Sequence, residues 1–195
     1  MQQIKLNNDI LDAISFADIE NYIEWSSQKQ YFSLNSGKEI YKLLGYIGQQ
    51  FQNETIICIG TGDGLDALAL SINENNKIIT YDYQDVILNN VESIKMKDNI
   101  DIRVEDFMEN AEIFLKSTLV YINIHPHDGL EEQVIVDYLI QNKYKGMIIL
   151  SNTKVTNGMK KLWDSIKDTK YDITKYGFWG GTGIICLGDY DIIMQ

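Results

Sequence analysis

Proline occurs once in this 195-residue chain, and cysteine and histidine twice each. The two cysteines, Cys58 and Cys186, each sit inside an apolar, β-branched run. They are too few and too embedded for a disulfide framework and read as buried thiols in a reducing compartment. No run of 18 apolar residues is present, so no membrane span is expected. The opening residues MQQIKLNNDILDAISFADIE lack the basic and apolar regions of a secretory signal, which points to the cytoplasm. Positive charge is scarce too: 17 Lys and Arg against 28 Asp and Glu leave a net charge of -11, with no basic cluster to interrupt it. Such a field repels phosphate backbones, so nucleic acid is a poor partner. Repeats, low-complexity tracts and linkers are missing as well, and with 45% hydrophobic residues the length suits one domain over 1–195.

What the chain does have is rhythm. Ile40, Leu43, Leu44, Ile47 and Phe51 keep helical spacing, and Asp9 to Trp25 also reads as helix, so a helical cap segment is expected over 1–53. Over 54–195, short β-branched runs alternate with helix-length segments: TIICIG, KIITYD, IDIRVE, STLVYINI, KGMIIL, YDITKY and TGIICLG. That alternation predicts a mostly parallel sheet of seven strands covered on both faces, an α/β three-layer architecture preceded by N-terminal helices. Between the last two runs, GFWGG is long enough only for a tight reversal, so the final strand should run antiparallel.

The stretch TIICIGTGDGLDALALSINENNKIITYDYQDV, Thr55 to Val86, carries the clearest chemistry. Gly60, Gly62 and Gly64 follow a strand and open a helix, where missing side chains let the backbone turn tightly and approach a ligand. Asp82 ends the next strand, where a carboxylate can accept hydrogen bonds from two ribose hydroxyls. Leu65 stands where the dinucleotide pattern needs its third glycine, which disfavours a nicotinamide-dependent oxidoreductase.

With these residues the chain resembles a class I S-adenosylmethionine (SAM)-dependent methyltransferase of Rossmann-like fold. The blocks YFSLNSGKEIYKLLGYIGQQF, IGTGDGLDALALSINENNKIITYDY, YINIHPHDGLEEQVIVDYLIQNKYKGMIILSNT and KYDITKYGFWGGTGIICLG resemble, in that order, a small family of such enzymes. The resemblance implies SAM as cofactor, its methionine part over Gly60, Thr61, Gly62 and Gly64, and its ribose on Asp82. Asp106 would face the adenine amine, and Asn123 would touch the cofactor from the fourth strand. Asp106 is equally placed to cap the helix of FMENAEIFLK. The expected acceptor is a small molecule or other non-nucleic-acid compound, oxygen being slightly favoured over nitrogen.

The departures are as informative. An acid that helps hold the SAM amino group is commonly found where this chain has Cys58. Asn123, His125, Ser151 and Asn152 stand where relatives tend to carry acids, leaving too little negative charge for a Mg²⁺-type site. These losses keep open a second reading, a catalytically decayed module that retains the fold for binding. In HPHDG, His125, His127 and Asp128 admit three readings: a transition-metal site, a structural turn in which Asp128 caps the helix from Gly129, or a general base. No metal is expected, and for the base His127 is the candidate, with Asp128 orienting its ring. Tyr31, Phe32, Trp163, Phe178 and Trp179 are candidates to close an acceptor pocket.

Overall fold

The computed structural model describes residues 1–24, 26–83 and 97–195. Trp25, the end of the first expected helix, lies outside them, as does most of the helix-length connection between KIITYD and IDIRVE, Val86 included. The strands are β1 (Gln2–Leu6), β2 (Thr55–Ile59), β3 (Lys77–Asp82), β4 (Ile100–Val104), β5 (Leu119–Ile122), β6 (Met147–Ser151), β7 (Lys170–Asp172), β8 (Thr182–Cys186) and β9 (Tyr190–Met194). The α-helices among the described residues are α1 (Asn8–Asp12), α2 (Ser26–Phe32), α3 (Tyr41–Gln49), α4 (Leu65–Leu70), α5 (Leu130–Gln141) and α6 (Asn157–Ser165).

Seven strands form one sheet in the order β4, β3, β2, β5, β6, β8, β7. Neighbours from β4 to β6 pair in parallel, and β8 runs antiparallel to both β6 and β7. Alternation along β2 explains why its sequence is apolar throughout. Ile56 and Cys58 face one layer, with Leu43, Leu44 and Ile47 of α3 and Leu65 and Leu68 of α4. Ile57 and Ile59 face the other, with Ile135 and Leu139 of α5 and Met159 and Leu162 of α6. A strand covered on both faces has no polar side to show, and each buried isoleucine contributes roughly 1.5–3 kcal/mol. Asn76 ties the layers together: its side-chain amide donates to the Gly48 and Phe51 carbonyls and its oxygen accepts from Glu54 N.

The amino terminus differs from the expected run of helices. β1 pairs in parallel with β9, Ile4 opposite Ile192, as a separate two-stranded sheet. Only Ile4 and Leu6 alternate into the core there, too short a period-two signal to read locally, and the partner strand lies at the other end of the chain. The helix expected from Asp9 also breaks after α1, resuming only as a 3₁₀ turn at Glu20–Tyr22. Ser15 Oγ accepts from Ala17 N in that gap, the kind of local bond by which serine competes with helix.

Candidate functional site

The strand order reverses between β2 and β5, the switch point at which open α/β sheets hold ligands at the carboxyl ends of their strands. Gly60 N and Thr61 N both donate to Tyr81 O, and Asn123 N donates to Ile59 O, so the ends of β2, β3 and β5 are stitched together. The three glycines differ in purpose. A Cβ on Gly60 would stand 2.0 Å from Asn123 O, so this glycine serves the close approach of loop to strand. Gly64, at φ 82°, is the N-cap of α4. A Cβ on Gly62, at φ 53°, would meet nothing within 4 Å, so packing does not account for the bare backbone there. Thr61 is buried with its hydroxyl on Thr80 Oγ1 at 2.8 Å, leaving its backbone on the cavity side.

Asp82 reaches back to this loop. Its Oδ2 accepts from Gly62 N at 2.8 Å and its Oδ1 from Tyr83 N at 2.8 Å. Each oxygen keeps a further lone-pair direction for a ligand hydroxyl. A cavity of about 90 Å³ lies between Asp82, Tyr83, Ile124 and His125. A larger one, of about 310 Å³, is walled by Asp63, Asp66, Asn123, His127, Asn152 and Phe178 among others. The two share Gly60, Gly62 and Asn123, which places the glycine loop and the end of β5 between them. Asp106 lines neither; it caps the 3₁₀ helix Phe107–Lys116 by accepting from Met108 N at 2.8 Å.

The HPHDG loop spreads its side chains apart. His125 borders the smaller cavity and His127 the larger, their rings 5.9 Å apart and nearly perpendicular. No three His, Cys, Asp or Glu side chains among the described residues converge as a metal-binding group. Asp128 does not orient His127: its Oδ1 accepts from Leu130 N at 2.9 Å, fixing the start of α5. The acid beside the ring is Glu132, whose Oε1 lies 3.8 Å from His127 Nδ1 while its Oε2 accepts from Gly129 N. Sequence reasoning missed Glu132, although an acid three residues beyond a helix cap is the capping-box spacing that turns a side chain back toward the cap.

His127 Nδ1 and Glu132 Oε1 are both buried and have no hydrogen-bond partner among the described residues. His127 Nε2 lies 3.1 Å from Asn152 Nδ2, which can only donate. The neutral tautomer that satisfies both sides carries its proton on Nδ1, toward Glu132, and its lone pair on Nε2. The loop is fastened from α6: Thr156 Oγ1 donates to His127 O at 2.6 Å while accepting from Met159 N. His127 and Asn152 both hold positive φ, 60° and 59°, a conformation that costs a non-glycine residue about 1–2 kcal/mol and gathers at functional sites.

Two further residues complete the picture. Cys58 is fully buried in the core and lines neither cavity; burial, then the neighbouring Asp66 carboxylate, push its thiol well above the ordinary range. Asp66, 8% exposed in the first turn of α4, accepts on Oδ2 from Tyr121 Oη at 3.0 Å and from Asn123 Nδ2 at 2.8 Å. Burial, opposed in part by the Asn123 and Tyr121 hydrogen bonds, raises its carboxyl to about 6. Its signal was an acid inside the otherwise apolar LDALAL, since an acid is rarely buried without a reason. Of the five candidate aromatics, only Phe178 lines the larger cavity; Phe32 is core, and Trp163 packs over Gly183.

No protein-family model matches the chain, and no curated protein matches it in sequence. Solved structures do match. A candidate caffeoyl-CoA O-methyltransferase from Staphylococcus aureus is similar at a TM-score of 0.57 and 14% identity, over 88% of each chain. A Podospora anserina methyltransferase solved with S-adenosylhomocysteine (SAH) is similar at 0.54 and 16%, over 74% of this chain and 78% of its own. An RNA methyltransferase from Salinibacter ruber in complex with SAH is similar at 0.50 and 12%, over 76% and 90%. The chain has the Rossmann-like fold of class I SAM-dependent methyltransferases.

Proposed function

We propose that this protein is a SAM-dependent methyltransferase acting on a small, non-nucleic-acid acceptor, with transfer to oxygen and with His127 as the base. The observation that carries the reading is the pair of cavities meeting over Gly62. A carboxylate suited to a ribose borders one, and an imidazole whose Nε2 lone pair meets the Asn152 amide borders the other. The residues fit the cofactor: Gly62 offers bare backbone over open space, and Asp82 keeps acceptor capacity beyond its two backbone bonds. Gly60 and Asn123 hold the loop against β5, Thr61 ties it to β3, and Gly64 turns it into α4. Asp106, set at the head of its helix, is assigned to the cap. The acceptor is taken as small because the larger cavity holds only about 310 Å³, and none of its lining residues is Lys or Arg.

When bound, SAM supplies an already activated methyl group on sulfur. The protein's part is then to align a nucleophile, exclude water and accept a proton. An acceptor hydroxyl beside His127 would give its proton to Nε2, so the imidazole would take up the proton released when that oxygen receives the methyl group SAM would supply. Glu132 steadies the imidazolium that results, from the far side of the ring. Asn152 does not block Nε2: its two N–H hydrogens are shared among Asn123 Oδ1, Ser151 Oγ and Nε2, so the bond to Nε2 is exchangeable.

A decayed binding module is the second reading, favoured by the amides and hydroxyl of Asn123, Asn152 and Ser151 at the strand ends. Calorimetric titration with SAM and SAH, followed by methyl-transfer assays on a panel of small hydroxyl compounds, separates the possibilities. Binding with turnover supports the enzyme, binding without turnover across the panel supports the module, and no binding of either ligand sinks the enzyme and leaves a module that uses the fold for something other than SAM.

A further inference from the structure

A line of hydrogen bonds crosses the wall of the larger cavity, from Asp66 on α4 through Asn123 after β5 and Asn152 after β6 to His127. Asn123 Nδ2 donates to Asp66 Oδ2 at 2.8 Å, and Asn123 Oδ1 accepts from Asn152 Nδ2 at 3.0 Å. The same Nδ2 lies 3.1 Å from His127 Nε2. The direction of this line matters, because each amide could stand the other way round. Half a turn exchanges an amide's oxygen for its N–H group with almost no change of shape. With its oxygen toward Nε2, Asn152 would call for a proton there, and the lone pair that makes His127 a base would be lost. Ser151 Oγ, 3.3 Å from Asn152 Nδ2, cannot select between the two, since a hydroxyl donates as readily as it accepts. A carboxylate can, because it only accepts. Asp66 takes both Tyr121 Oη and Asn123 Nδ2 on one oxygen, and burial raises its carboxyl only to about 6, so it is ionised at pH 8. It holds the N–H of Asn123 toward itself, which turns Asn123 Oδ1 to Asn152 and the Asn152 N–H to His127.

We propose that Asn123 is a positioning residue for the base: it passes the acceptor-only character of Asp66 on to Asn152, so that Nε2 of His127 meets an N–H and stays free of a proton. The role rests on the reading of His127 as the base and adds the residue that sets its tautomer. It also gives the amide at position 152 a use that an acid could not serve, since a carboxylate there would accept from Nε2 and load the ring with a proton.

The test is ¹⁵N NMR of the histidine rings in the full chain without ligand, at pH 8, above the ordinary histidine range. The chain has two histidines, and the signals lost in His127→Ala identify the ring. Wild type should show Nδ1 protonated and Nε2 bare. Asn123→Leu, similar in shape but without either polar end, should raise the fraction protonated on Nε2 by about 5- to 10-fold, the scale of one hydrogen bond. Asn123→Asp should restore the wild-type pattern: the two neighbouring carboxyls share a proton, and the far oxygen still accepts from Asn152. A purely structural role gives no reason for aspartate to rescue what leucine loses. Should leucine not be accommodated, Asn123→Ala gives the same reading, because water filling the gap donates as readily as it accepts. Nε2 bare in the leucine or alanine variant, equal protonation in the leucine and aspartate variants, or a proton on Nε2 in wild type each overturns the assignment. Full turnover in His127→Ala takes away the base and this assignment with it; turnover lost there, with an unmoved spectrum in the leucine variant, removes only Asn123.

Discussion

Replacing Asp66 with asparagine should make the protein more stable. The carboxyl is buried in the first turn of α4, and its folded value of about 6 stands against 3.8 for the ordinary group. The native state therefore holds the proton more tightly than the unfolded chain does. Between about pH 4 and pH 6 stability falls as pH rises, and above that the penalty is constant. At about 1.4 kcal/mol per pH unit, the gap between 3.8 and about 6 amounts to about 3 kcal/mol at pH 8. Asparagine removes the charge but keeps an oxygen where Tyr121 and Asn123 donate, so most of that penalty should be recovered. Urea unfolding of both proteins at pH 8 and pH 4 reads it directly. The variant should be more stable by about 3 kcal/mol at pH 8, raising the melting temperature by roughly 6–12 °C, with the advantage shrinking toward zero at pH 4. A variant equally or less stable at pH 8, or an advantage independent of pH, would show that Asp66 bears no desolvated charge.

Other outcomes follow from the same geometry. His127→Ala should lower turnover by roughly 10²–10⁴ with SAH affinity nearly intact, because the base meets the acceptor and not the cofactor; full turnover would return His127 to the loop. Glu132→Gln keeps an oxygen for Gly129 N but presents N–H to Nδ1, which forces the proton onto Nε2, so its turnover should approach that of His127→Ala at unchanged stability. Asp82→Ala should weaken SAH by about 1.5–3 kcal/mol in the same titration, and unchanged affinity would put the ribose elsewhere. Gly62→Ala should cost only about 1–2 kcal/mol of stability but block SAH, whereas Gly60→Ala, with its Cβ driven into Asn123 O, should fail to fold; similar behaviour of the two would refute their separation.

What the sequence made legible was local and periodic. The seven-strand sheet announced itself because its central strands are buried on both faces and so are apolar nearly from end to end, as TIICI and MIILS are. The first strand was hidden because its pairing with β9 spans nearly the whole chain and only Ile4 and Leu6 mark it. The glycines of the loop could be found by position, but not sorted. Gly60 and Gly62 look alike in a row of letters, and only the path of β5 behind the loop distinguishes a glycine required by Asn123 from one with open space above it. The same holds for acids. Asp128 stands next to His127 in sequence yet turns back onto Leu130, whereas Glu132, one helical turn on, comes back beneath the ring. Reading the carboxyl ends of the strands for acids finds Asn123 and Cys58 and suggests a site stripped of charge. The charge has a different origin: Asp66 rises from α4 to donors on β5, so the group that Asn123 lacks is hydrogen-bonded to Asn123 itself. An acid at the end of a strand and one in the first turn of the next helix can face one cavity, and sequence position alone cannot equate them. Loss of a carboxylate from one element is therefore weak ground for calling such a site decayed until the facing element has been searched.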